Sequence, residues 1–142
     1  MANLLINTVL RWRGSKIPTS LMRMSDISQV TVLLDAGADD AAEAEEKVIA
    51  FFAGRGVQLV LVRVLPKKRI RVHTDTQVLL SLVPYSGWRL EYAVRRSRAV
   101  FKIGRRQLPG EPFDLVVSDP DGKSYRQVEV FARMMEILGD LK

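Results

Sequence analysis

Side chains able to do covalent or metal chemistry are scarce in this chain of 142 residues: it has one histidine, His73, and no cysteine. Without cysteine there is no disulfide framework, thiolate metal site or thiol nucleophile, and a single histidine excludes a His cluster around a catalytic metal. His73 sits in a polar connector beside Thr74 and Asp75. As a general base it would need an orienting partner and a nucleophile within reach, and a solvated loop histidine is the simpler reading. Gly122-Lys123-Ser124 has the ending of a phosphate loop, but the motif needs a glycine five residues earlier, where Val117 stands. Asp119-Pro120-Asp121-Gly122 is better read as a turn that Ser124 caps.

A second group of candidates lies at expected strand ends. Asp35, Gly37, Asp39 and Asp40 close the first strand of the main domain and open its first helix, while Ser118, Asp119 and Asp121 close the last strand. Open α/β sheets bind ligands at such ends. Asp35, Gly37, Tyr85, Ser118 and Asp119 are therefore the strand-end ligand candidates. The glycine fingerprint of dinucleotide sites is missing, and the acids would repel phosphate, although carboxylates can hold a divalent cation. A receiver-like acidic pocket would want lysine at the end of the fifth strand, where Ser118 stands. Dipole complementation and N-capping explain these acids more simply, so neither a metal nor a cofactor is expected.

The strongest signal is basic. Lys+Arg number 22 against 16 Asp+Glu, a formal charge of +6, with an isoelectric point near 10.0. The excess is segregated: residues 35–46 carry six acids and no base, while residues 63–71 carry five bases and no acid. Lys67, Lys68, Arg69 and Arg71, with Arg63 before them, form one cluster; Arg89, Arg95, Arg96, Arg98, Lys102, Arg105 and Arg106 form another, opposed only by Glu91. Arginine forks phosphates and stacks on bases, and each phosphate contact adds salt-dependent, sequence-independent affinity. Lys67, Lys68, Arg69, Arg71, Arg95, Arg96, Arg98, Arg105 and Arg106 are therefore the polyanion-binding candidates, against the ordinary alternative of a solvated charged face. Trp88 and Tyr85 would add stacking surfaces, although Trp88 suits a core equally well. No RRM, KH, helix-turn-helix or zinc-finger signature accompanies them.

The elements that must position these residues alternate. Gln29–Leu34, Val57–Val64, Val78–Val83, Ala99–Ile103 and Asp114–Ser118 read as short apolar strands. Helices are expected from the acidic start at Ala38 to Gly54, over Trp88–Ser97 with Leu90, Ala93, Val94 and Ser97 on one face, and from about Ser124 to Leu138. Residues 105–112 hold too many breakers for a crossover helix. The pattern predicts a three-layer α/β domain over 29–142 with a mostly parallel five-stranded sheet, flavodoxin- or Rossmann-like. Before it, residues 2–13 space Leu5, Val9 and Trp12 as a short basic amphipathic helix, and residues 14–28 read as a connector. The apolar start is too short for a spanning helix and lacks the preceding charge of a secretory signal, so a cytoplasmic protein with no transmembrane segment is expected.

Two segments, Val30-Thr-Val-Leu-Leu-Asp35 and Leu90-Glu-Tyr-Ala-Val-Arg-Arg-Ser-Arg-Ala-Val-Phe-Lys-Ile-Gly104, together with the basic N-terminal stretch, resemble an uncharacterised family of small bacterial α/β proteins. That resemblance implies the α/β fold and brings no catalytic residue. A weaker likeness is to the first domain of heptosyltransferase-type glycosyltransferases, which need a second domain to bind the nucleotide-sugar. Residues 105–142 leave room for only one more strand and helix.

These readings lead to a non-catalytic protein whose Arg/Lys face binds RNA, the ribosome or another polyanion. Two rivals stand beside it. One is a small-ligand domain for a nucleotide, sugar phosphate or metal at the strand ends. The other is a homo-oligomeric interaction module using residues 2–13.

Overall fold

β-Branched and leucine-rich runs too apolar for solvent on either side build the centre of a six-stranded sheet, seen in a computed structural model that describes residues 9–12, 27–72, 76–119 and 125–140. Along the chain come β1 (Val9–Trp12), β2 (Gln29–Asp35), α1 (Ala41–Ala53), β3 (Gln58–Val64), β4 (Val78–Ser81), α2 (Trp88–Arg96), β5 (Phe101–Gly104), β6 (Leu115–Ser118) and α3 (Gln127–Asp140). The spatial order is β1-β6-β5-β4-β2-β3. The five strands from β2 onward run parallel, as expected from the sequence. Numbered among themselves they follow the flavodoxin-like order 2-1-3-4-5, which reverses direction between β2 and β4.

The N-terminal stretch departs from expectation. Val9–Trp12 forms a strand rather than the second half of a helix, and pairs antiparallel with β6 from Val9 opposite Ser118 to Trp12 opposite Leu115. A lone helix of about a dozen residues is marginal in water. The free edge of β6 instead offers unpaired backbone groups, and Val9, Leu10 and Trp12 are residue types that suit a strand. This segment therefore belongs to the same sheet as residues 29–142. Residues 2–8 and the connector at 13–26 lie outside the described residues, as do His73 and the Gly122-Lys123-Ser124 turn.

Period-two alternation divides the sheet into two cores. Val30, Val32 and Leu34 of β2, with Val78 and Leu80 of β4, face Ala44, Val48 and Phe52 of α1 and Val130, Phe131 and Met134 of α3. Leu33 and Leu79 face the opposite way, toward Leu90 and Val94 of α2 and toward Leu108 and Phe113 in the β5–β6 loop. This arrangement follows from right-handed crossovers. The chain moves one way along the sheet at β2–α1–β3 and the other way at every later connection, so α2 must cover the face opposite α1. Among the described residues, no helix is long and apolar enough to cross a membrane.

Two buried polar contacts lock the layers. The Gln127 side-chain amide, 2% exposed, accepts from the Asp35 N–H at 2.8 Å and donates to the Asp35 carbonyl at 3.0 Å. It stands in for a strand partner where β2 outruns its neighbour. Gly104 closes β5 against the Phe113 ring, and a Cβ there would lie 2.5 Å from that ring. The expected cost of Gly104→Ala is about 1–3 kcal/mol of overpacking, read as a lower urea midpoint at unchanged m-value.

Candidate functional site

The connection from β3 to β4 crosses over β2 and carries the first basic cluster. It starts with a turn in which the Lys68 N–H donates to the Leu65 carbonyl at 3.3 Å, with Pro66 and Lys67 as its central residues. Lys67 has φ of 63°, the left-handed conformation that a type II turn requires at this position and that normally selects glycine. Beyond the turn the side chains alternate: Arg69 and Arg71 are exposed, while Ile70 and Val72 are half-buried against the α2-side core.

The second cluster arrives on α2. Leu90, Ala93 and Val94 are buried, as their shared face predicts, and Ser97 just past the helix is buried too. That leaves Trp88, Tyr92 and Arg96, each four residues from the next, as an outer stripe. Trp88 is 67% exposed and Tyr92 56%. Both rings carry a guanidinium: Arg89 lies 4.5 Å from the Trp88 ring centre and Arg96 lies 5.5 Å from that of Tyr92. Arg96 also donates to the Tyr92 hydroxyl at 2.8 Å.

The two clusters meet. Between the connector and α2 lies an open trough of about 650 Å³, lined by Lys67, Arg69, Ile70, Arg71, Val72, Trp88, Arg89, Tyr92, Ala93 and Arg96. Five of these residues are cationic and none is acidic.

Not every basic candidate belongs there. Lys68, Arg95, Arg98 and Arg106 are exposed but outside the trough, and Arg95 lies 3.5 Å from Glu91. Arg63 points to the opposite face, where Glu45 of α1 takes it in a two-pronged pair at 2.6 and 2.8 Å; that bond raises its pKa further. Lys102 donates to the Val94 carbonyl at 2.7 Å, satisfying the end of α2.

Arg105 is a clear correction. It is 6% exposed and so cannot meet a polyanion from solution. Its guanidinium donates to the carbonyls of Leu82 and Tyr125 and to Asp119 at 3.0 Å, tying together the ends of β4, β5 and β6. A chain that buries a cation must pair it, and Asp119 is the carboxylate within reach.

Of the strand-end candidates, Asp35, Gly37 and Tyr85 stand together around the ends of β2 and β4, while Ser118 and Asp119 stand apart at the end of β6. The Asp35 carboxylate accepts the Gly37 N–H at 3.2 Å, closing the turn after β2. Asp40 stands at the start of α1 but makes no side-chain cap there; its carboxylate accepts the Val128 N–H at 3.0 Å and so caps α3. Asp119 serves Arg105, and Ser118 ends β6 opposite Val9. Tyr85 is half-buried, packed on the α2-side core. Its hydroxyl has no hydrogen-bond partner among the described residues, and burial first, then the negative charge of Asp35, raise its pKa, keeping it neutral. Among the described residues, no group of three acids or histidines could hold a metal ion.

No family model, curated protein or solved structure matches the chain. The sequence reading missed Tyr92; its place four residues after Trp88 and off the Leu90–Ala93–Val94 face was the available signal. It also offered Tyr85 as a stacking surface, and the structure turns that ring toward the core instead.

Two outcomes follow from this geometry. Replacing Arg105 by leucine leaves Asp119 uncompensated and should cost about 3 kcal/mol or more in chemical denaturation, while Arg106→Ala stays within about 0.5 kcal/mol. Lys67→Gly relieves the left-handed strain and should hold or raise stability by up to about 1 kcal/mol, although it removes a trough cation. A melting temperature that falls in Lys67→Gly would contradict the turn assignment.

Proposed function

We propose that this protein is a non-catalytic binding protein that engages RNA, free or in the ribosome, through the phosphates that its basic trough can contact. The observation that carries this reading is the convergence of two clusters, distant in sequence, on one concavity with five cations and no acid. Concave surfaces of one charge sign focus field lines and raise the local concentration of the opposite ion. Four of the five cations are arginines, whose planar forks match phosphate oxygens. The strained Lys67 backbone supports the same reading, because a non-glycine residue held at positive φ places a charge where glycine would be the relaxed choice.

The test is RNA affinity measured at several salt concentrations. If all five cations meet phosphates of a single strand, the logarithm of affinity should fall with that of salt with a slope of about 3 to 4. Reversing Arg69, Arg71 and Arg96 to glutamate should remove binding. Reversing Arg95, Arg98 and Arg106 should weaken it at least tenfold less, as expected for charges outside the trough. No binding at low salt, or equal losses in the two triple variants, would sink the assignment.

A further inference from the structure

Charge alone does not account for what lines the trough. A site built only for phosphates needs no large exposed rings, yet Trp88 and Tyr92 are among the most exposed large hydrophobic residues described, and both line it. They stand one helical turn apart on α2, about 6 Å along its axis. Each has a guanidinium near its ring and still keeps more than half its surface in water. Ring and cation together form the pairing used by proteins that bind unpaired strands: bases stack on the aromatic, and arginines follow the backbone. The opposite wall supplies Arg69 and Arg71 on an irregular segment, so cations flank the rings from two sides. A space of about 650 Å³ is in the range of small-ligand sites, about 300–1,000 Å³, and has room for about one or two nucleotides with their bases turned in. A duplex keeps its base faces stacked on one another and can offer this trough only phosphates.

We infer that the trough is a stacking site for single-stranded nucleic acid, with Trp88 and Tyr92 as the base platforms and Arg69, Arg71, Arg89 and Arg96 as the phosphate contacts. This rests on the polyanion reading above and adds the requirement for exposed bases. It predicts selectivity that charge cannot give. Heparin, which has charge and no bases, should bind without using the rings, and a single strand should bind more tightly than a duplex of the same length.

The experiment uses the full chain with oligouridylate of about 12 nucleotides, a duplex of equal length, heparin, and vesicles of anionic phospholipid. Oligouridylate should bind at least about tenfold more tightly than the duplex and quench indole emission; Trp88→Ala should weaken it about tenfold or more and abolish most of the quenching. Trp88→Phe should restore most of the affinity, and Tyr92→Leu should weaken the single strand as Trp88→Ala does. Heparin affinity should stay within about twofold in all three variants, which shows that they are folded and keep the charges in place. If heparin and oligouridylate bind but Trp88→Ala changes neither, or if duplex binds as well as single strand, the stacking inference falls and the polyanion reading stands. If neither heparin nor oligouridylate binds at low salt, both fall. Vesicle binding that depends on Trp88 and that oligouridylate does not displace would overturn the inference in favour of a membrane surface.

Discussion

The connection between β3 and β4 is the constraint from which the rest of the cationic face follows. β2 pairs with both strands, so the chain leaving β3 must climb over β2 on the face opposite α1. In a complete doubly wound domain a helix makes that crossing and buries the sheet beneath it. Here the described part of the crossing is a turn followed by irregular chain, and half-buried Ile70 and Val72 lie against the core in a helix's place. An extended path puts neighbours on opposite sides. The alternation that buries Ile70 and Val72 therefore sends Arg69 and Arg71 outward. The same logic at helical period governs α2, where burying Leu90, Ala93 and Val94 forces Trp88, Tyr92 and Arg96 to the other side. The trough is what remains between two segments that each solved a burial problem.

Charge segregation completes the arrangement. Five like charges around one concavity repel, and the chain could have relieved them with the acids it carries. It places those acids elsewhere. Glu45 takes Arg63, Glu43 takes Arg126 at 2.8 Å, Asp40 caps α3 and Asp119 holds Arg105. Arg89 and Arg96 rest near aromatic rings, contacts that modestly offset the repulsion without cancelling the charge a ligand would meet.

Much of this was legible in the sequence, and what was not has physical causes. Continuous β-branched and leucine-rich runs, short and bounded by Gly, Pro and Asp, identified the five parallel strands to within two residues at each end. The helical faces followed from spacing, as the burial of Leu90, Ala93 and Val94 shows. The spacing of Leu5, Val9 and Trp12 reads as a helix over residues 2–13, whereas Val9–Trp12 is a strand; a free sheet edge decides the matter, and that edge is visible only in three dimensions. Arg105 was misread for a similar reason. In the sequence it is one of a basic pair with Arg106, but the end of β5 turns Arg105 inward to three partners while Arg106 stays in water. The meeting of residues 67–72 with 88–96 was invisible locally, since nothing in either cluster specifies that its connection passes beside the other.

The reversal of strand order between β2 and β4 marks the edge where a fold of this order ordinarily receives an anionic ligand. That role depends on helix N-termini whose N–H groups are free and whose dipoles are unopposed. In this chain the N-terminus of α3 already holds the Asp40 carboxylate, and Gln127, its first residue, is committed to the backbone of Asp35. Arg105 cross-links the strand ends on the β4–β6 side and brings its own counter-ion. At the switch point itself, between β2 and β4, the N-termini of α1 and α2 carry no side-chain cap, and it is the acids Asp35, Asp39, Asp40 and Glu43 around the start of α1 that disfavour phosphate there. The edge is therefore acidic beside α1, while the face between residues 67–72 and α2 is cationic. The departure that opened the face, a crossing whose described part holds no helix, also supplied its charges, so the strand order alone does not locate the cations.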